Sequence, residues 1–230
     1  MTPPCIIQIK DLYFTYGQDG ASTLKGVNLS VRQGERVGLS GANASGKSTL
    51  LHVIMGLRLP QAGTVELYGK PRRNEEDFRD ARMRMGLLFQ DSDDQLFCPT
   101  VLDDVAFGPL HLGWGKDAAR EAALEALAIM GLQGYEHRVT SRLSAGEKKL
   151  VALATNLAMK PDTLLLDEPT SFLDDSSRER LIHVLRDVPV TLLIVSHDQT
   201  FLDALTDHRL VLRDGRISDA PTSPGAKVEL

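Results

Sequence analysis

Gly41-Ala42-Asn43-Ala44-Ser45-Gly46-Lys47-Ser48 decides the reading of this chain. The stretch fits G-x-x-x-x-G-K-[ST], and it lies where that pattern requires: after a short apolar strand at Arg36–Ser40 and before a helix from Lys47 to about Gly56. Such a loop turns its backbone N–H groups inward, and glycine permits the backbone angles this needs. The helix N-terminus adds positive potential toward bound phosphate. Lys47 is placed to reach β- and γ-phosphates, Ser48 to ligate Mg²⁺, and Thr49 to add a phosphate contact.

Outward from the loop, apolar strands alternate with helical segments. Strands are expected at Met85–Phe89, Thr163–Asp167 and Val190–Ser196, and helices at Ser176–Arg186 and Asp198–Leu205. This alternation implies an α/β fold, a mostly parallel sheet covered on both faces. Ahead of it, strands at 6–16 and 26–31, broken by a turn at Asp19-Gly20, read as an N-terminal antiparallel region, and strand signals return at Val65–Tyr68. From about 101 to 160 the apolar spacing is helical: Ala123, Leu127 and Met130, then Leu150, Ala154 and Leu157. We expect one domain over 1–218, its core at about 1–90 and 161–218 and an inserted helical subdomain at about 91–160. A hairpin turns at Asp214-Gly215, and a loose tail is expected over 219–230.

Leu164-Leu165-Leu166 is a continuous apolar run of the kind that forms a buried parallel strand, and it ends in Asp167-Glu168-Pro169. Ligands of open α/β sheets bind beside such strand ends. Asp167 suits a Mg²⁺-linked role and Glu168 can polarise an attacking water; alone, the pair also fits a solvated strand end.

Composition narrows the class. Net charge is −5, which offers no footprint for nucleic acid. The basic run Lys70, Arg72 and Arg73 reads as a solvated loop face. Cys5 and Cys98 match no metal spacing and read as reduced structural thiols, and the six histidines are scattered, His52 and His183 as helix residues without chemistry. No apolar run approaches the ~20 residues that cross a bilayer, and no signal peptide opens the sequence. Any service to a membrane is then expected from its cytoplasmic side, through a partner.

Leu143-Ser144-Ala145-Gly146-Glu147 resembles the L-S-G-G-Q signature of the ATP-binding-cassette ATPases, and with it about residues 5–217 resemble that family. Ser144 and Glu147 also fit a helix capping box, and both readings can hold together. The resemblance implies a P-loop NTPase core that hydrolyses ATP with Mg²⁺ held at Ser48, Gln90 and Asp167. It implies that Ser144, Ala145, Gly146 and Glu147 complete the nucleotide site of an opposite subunit. Ala145 departs from the expected glycine and Glu147 from the expected glutamine. Gln90 resembles the residue that senses Mg²⁺ and water, and Ser171 and Asp174 lie in the likeness of the loop across the dimer interface. His197 resembles the γ-phosphate histidine, and Tyr16 the aromatic that stacks on adenine. With one phosphate loop and one signature, a homodimer is the simpler working unit.

Gln90-Asp91-Ser92-Asp93-Asp94-Gln95-Leu96-Phe97, Pro99-Thr100-Val101 and Val105-Ala106-Phe107-Gly108-Pro109 resemble the ATPases of energy-coupling-factor importers, and within those the cobalt and nickel uptake systems. That likeness implies a peripheral protein on the cytoplasmic side of the inner membrane, seated on integral membrane subunits. Leu96, Phe97, Val105 and Phe107 are candidates to line a groove for a partner helix, or to fill the subdomain core. A vitamin importer is the alternative. A soluble cassette acting on DNA or ribosomes fits less well, because the residues between Gln90 and Ser144 are too few for a long coiled coil. A regulatory cassette without activity fits poorly with Lys47, Asp167, Glu168 and His197 all present.

Overall fold

The computed structural model describes residues 2–17 and 22–220. In chain order it contains β1 (Cys5–Thr15), β2 (Ser22–Arg32), β3 (Arg36–Ser40), α1 (Lys47–Ile54), β4 (Ala62–Leu67), β5 (Lys70–Pro71) and α2 (Arg79–Arg82). Then come β6 (Met85–Leu88), α3 (Val101–His111), α4 (Lys116–Ile129), α5 (Ala145–Ala158), β7 (Thr163–Asp167) and α6 (Asp175–Asp187). The chain closes with β8 (Thr191–Val195), α7 (Gln199–Leu205), β9 (His208–Arg213) and β10 (Arg216–Asp219).

Two sheets form. The N-terminal one is antiparallel, in the order β2-β1-β4-β5. The other runs β10-β9-β3-β8-β7-β6, parallel throughout except for the edge hairpin β9-β10. Along β7, Leu165 packs into the core shared with the antiparallel sheet and α1, while Leu164 and Leu166 pack into the core beneath α3, α4 and α5. On β8, Leu193 and Val195 face the first core, and Leu192 and Ile194 the second. Period-two alternation with both faces buried explains why these strands read as unbroken apolar runs. Each such leucine contributes about 2 kcal/mol of burial. The strand ends are thereby rigid mounts for whatever follows them.

Several expected boundaries move. β2 begins at Ser22 rather than 26, because Thr15 pairs with Ser22 and Tyr13 with Lys25, so ladder bonds extend the strand through polar residues. The turn expected at Asp19-Gly20 lies outside the described residues. The helical block resolves into the three helices α3, α4 and α5. Gly131, at φ 70°, closes α4, and the chain stays largely irregular until Ser144 caps α5. Arg72 is no solvated loop residue: it is 6% exposed, donating to the Leu67 carbonyl and paired with Asp80. Asp219, the last residue of β10, is in register with Leu210 on β9, so the loose tail does not start there, and 221–230 lie outside the described residues. Among the described residues no helix is long and apolar enough to cross a membrane.

Candidate functional site

β3 delivers the chain to Gly41, and α1 starts at Lys47 with Gly46 as its N-cap at φ 104° and no side-chain cap. A residue with a Cβ is strained at that angle. The first-turn N–H groups of α1 therefore stay available to an anion rather than to a capping side chain. No acidic residue occupies that turn. Lys47 is 8% exposed, and its Nζ donates to the carbonyls of Gly41 and Ala42, both at 2.9 Å. Two loop carbonyls thus hold the ammonium across the mouth of the cradle. Ser45 Oγ is buried with no partner.

Opposite the loop, β7 and β8 end side by side, with Asp167 in register with Val195. The Glu168 N–H continues the ladder to the Val195 carbonyl at 2.9 Å. Glu168 then turns into the left-handed region at φ 46°, an uncommon angle for a non-glycine residue. Its Oε2 lies 2.8 Å from His197 Nδ1 and accepts from Ser196 Oγ at 3.3 Å. The carboxylate is nearly buried, whereas the His197 side chain is 72% exposed. The pairing fixes Nδ1 toward Glu168 and turns the other ring nitrogen outward.

Asp167 is buried, and burial pushes its carboxyl pKa up, with the Ser48 hydroxyl opposing, Glu168 adding to the rise, and His52 and Lys47 pulling it back. Its Oδ1 has no hydrogen-bond partner. An orphaned carboxylate oxygen near a serine hydroxyl, in a cleft that Gln90 also lines, offers hard oxygen donors that fit Mg²⁺. Tyr16, Lys47, Ser48, Gln90, Asp167 and Glu168 line one cleft of about 600 Å³, together with Asn43, Ala44, Gly46 and Thr49. Gly41 and Ser45 face an adjoining cleft. The Tyr16 hydroxyl sits 3.1 Å from Thr49 Oγ1, so the ring is tied to the cleft edge while remaining 48% exposed.

The signature residues do not join this cleft. Ser144 caps α5 in a full capping box: its N–H donates to Glu147 Oε2 at 2.8 Å and its hydroxyl accepts from the Glu147 N–H at 3.3 Å. The charge that Glu147 introduces is met locally. Tyr135 donates its hydroxyl at 2.8 Å and Arg138 its guanidinium at 3.1 Å, both to Oε1. The Ser144 N–H first, then Tyr135 and Arg138, lower the Glu147 carboxyl pKa. Ser144 and Ala145 are exposed. Behind them the loop of Ser171 and Asp174 packs close: a Cβ on Gly146 would stand 2.8 Å from the Phe172 carbonyl. Asp174 caps α6 through the Ser177 N–H at 2.8 Å, and Phe172 projects outward at 73% exposure. Signature and loop form one exposed surface apart from the cleft.

Of the candidate groove residues, Phe97 and Phe107 meet edge to face at 4.9 Å and line an apolar groove of about 610 Å³. Val105 is wholly buried and Leu96 packs against the second core, so those two are core.

Two residues of the site's surroundings are not evident from sequence motifs. Lys149 Nζ donates to the carbonyls of Phe89 at 3.0 Å and Gln90 at 2.6 Å, and Lys148 Nζ pairs with Asp93 at 2.5 Å. A signal existed: Lys149, Leu153 and Asn156 fall at i, i+4 and i+7, which places a lysine on the buried face of α5.

A phosphate cradle facing paired acids at adjacent strand ends, with a capped helix on a separate surface, defines a nucleotide-hydrolysing cassette. A family model described as "ABC transporter" matches residues 24–171, and the chain belongs to that family. It is similar to the energy-coupling factor transporter ATP-binding protein EcfA of Methanocaldococcus jannaschii, 42% identical over 216 residues, 92% of this chain and 77% of that protein. Its fold matches cbiO1 from Clostridium perfringens, described as part of the ABC transporter complex cbiONQ, at TM-score 0.81 and 32% identity over 93% of this chain and 87% of that one. It also matches the cassette MJ0796 in a dimeric post-hydrolysis state bound to ADP and Pi, at TM-score 0.86 and 26% identity, covering 93% and 98%. The chain is an ABC-type ATPase.

Proposed function

We propose that this ATPase energises an energy-coupling-factor importer, as a homodimer seated on integral membrane subunits at the cytoplasmic face of the inner membrane, with cobalt or nickel as the cargo. One observation carries the transport reading: the segment that leaves the nucleotide cleft at Gln90 arrives at Phe97 in an exposed apolar groove. A partner helix seated there is in direct mechanical register with the site. The EcfA and cbiO1 likenesses support the importer class, and the resemblance of Gln90–Pro109 supports the metal cargo.

In this reading the loop amides and Lys47 hold the phosphates, Tyr16 takes the adenine, and Glu168 orients and polarises the attacking water while His197 holds that carboxylate and faces the γ-phosphate. Ser48, Gln90 and Asp167 would hold Mg²⁺, which when bound would neutralise phosphate charge. Ser144 and the α5 N-terminus serve the partner subunit's phosphate. The core at about 1–90 and 161–218 carries the cleft, the subdomain at about 91–160 carries the signature, and residues of both line the groove. ATP favours the closed dimer by binding it more tightly than the open one, and hydrolysis resets it.

The test is genetic and biochemical together. Deleting the gene should abolish high-affinity uptake of cobalt or nickel, restored by the wild-type chain and not by Glu168→Gln, and the chain should copurify with integral membrane proteins. Metal uptake spared and a vitamin's uptake lost would overturn the cargo. Copurification with ribosomes instead would overturn the transport role.

A further inference from the structure

Lys149 is 2% exposed on a helix whose buried neighbours are almost all apolar. Burying an ammonium is costly unless its donors are satisfied and opposite charge is near. Both conditions are met at one place. Nζ donates to the Phe89 and Gln90 carbonyls, and while burial lowers the ammonium's pKa, the carboxylates of Asp167, Asp91 and Glu168 oppose that.

The same helix holds the same strand end at further points. Asn156, two turns on, donates to the Leu87 carbonyl at 3.2 Å. The Gln95 amide donates to the Ala152 carbonyl and to Thr155 Oγ1, both at 2.9 Å. Lys148 takes Asp93. Lys148 and Lys149, directly behind the Ser144–Glu147 signature, therefore hold the chain at Phe89, Gln90 and Asp93. A rigid displacement of α5 would have to break these bonds or take the Gln90 backbone with it.

We infer that Lys149 is a positioning residue for the hydrolytic site: it fixes the Gln90 backbone, and so the placement of the Gln90 amide beside Asp167 and Ser48, to the position of the signature helix. The inference rests on the reading of Gln90 as a Mg²⁺ ligand. It adds a physical link between the surface that meets the second subunit and the cleft that binds the metal. A residue that only filled the core would affect folding and leave the dependence on Mg²⁺ alone.

The experiment is a double-mutant cycle of Lys149→Met and Gln90→Ala in the full chain, with steady-state ATPase measured against Mg²⁺ concentration and nucleotide affinity measured in EDTA. Lys149→Met should lower kcat by about tenfold or more and raise the half-saturating Mg²⁺, since small misplacements of a reacting group are costly. Affinity for metal-free nucleotide should not change. Combined with Gln90→Ala it should add almost nothing, because the two act as one unit. An unchanged Mg²⁺ dependence, or full additivity beside an impaired Gln90→Ala, would overturn the inference and leave the Gln90 reading intact. An unimpaired Gln90→Ala would remove that reading and the inference with it. Should Lys149→Met fail to fold, Lys148→Gln, which breaks the clamp on the exposed Asp93, is measured in its place: a raised half-saturating Mg²⁺ supports the inference, and an unchanged one overturns it.

Discussion

His197 Nδ1 stands 2.8 Å from Glu168 Oε2 across the ends of two adjacent parallel strands, and the histidine is exposed where the carboxylate is buried. The imidazole thus steers a carboxylate that protein surrounds on its other sides. His197→Ala should cut turnover by about 10²-fold while ATP affinity stays near that of the wild type. In a Glu168→Gln background the same change should cost much less, because His197 acts in part through the Glu168 carboxylate. Full additivity in phosphate-release assays would show that they act apart.

The exposed signature surface makes a distinct prediction. Ser144 and Ala145 lie outside the cleft formed by their own chain, so a site complete within one subunit is not available to them. Lys47→Ala and Ser144→Arg should each be inactive alone. Mixed, they should regain partial activity, since one of the two composite sites then pairs an intact loop with an intact signature. No recovery in demonstrated mixed dimers would contradict action across the interface.

A stability prediction concerns the groove's flank. Arg72 and then Lys70, by hydrogen bonding, hold the Asp80 carboxyl down to about 2. Its ordinary value is about 3.9, so the folded state favours the ionised form. That contribution is complete above about pH 4 and is lost as pH falls through about 2. Asp80 is half exposed, which limits the effect, but its loss strands the buried Arg72 guanidinium. Asp80→Asn should lower the melting temperature at pH 7, with the gap to wild type narrowing between pH 4 and pH 2. A gap that is constant with pH would remove the ion pair as its cause.

Much of this was legible before the fold was known, for particular reasons. The phosphate loop is read because a backbone cradle needs glycine and lysine at fixed spacing. The strand Thr163–Asp167 is read because a sheet covered on both faces demands unbroken apolar residues, and the structure returns those limits. The capping box at Ser144 and Glu147 was visible as a short-range pattern and formed as one. What stayed hidden depends on long-range partners. Lys149 acts through carbonyls about 60 positions away, and only its place on the buried face hinted at this. Arg72 looked like surface charge because its carbonyl and carboxylate partners come together only once β4, β5 and α2 are assembled. The partners that neutralise Glu147 lie in the irregular stretch after α4, where no periodicity points to a contact.

The central claim is that Glu168 is the group that activates water in an intact nucleotide site, and Glu168→Gln tests it most directly. The substitution keeps the side chain's size and removes its charge. Phosphate release and ATP affinity should be measured on both proteins in the presence of Mg²⁺. The account predicts a loss of turnover of about 10²–10⁴-fold with ATP still bound. Turnover within about threefold of wild type would contradict it, since no transition-state interaction of consequence would have been removed.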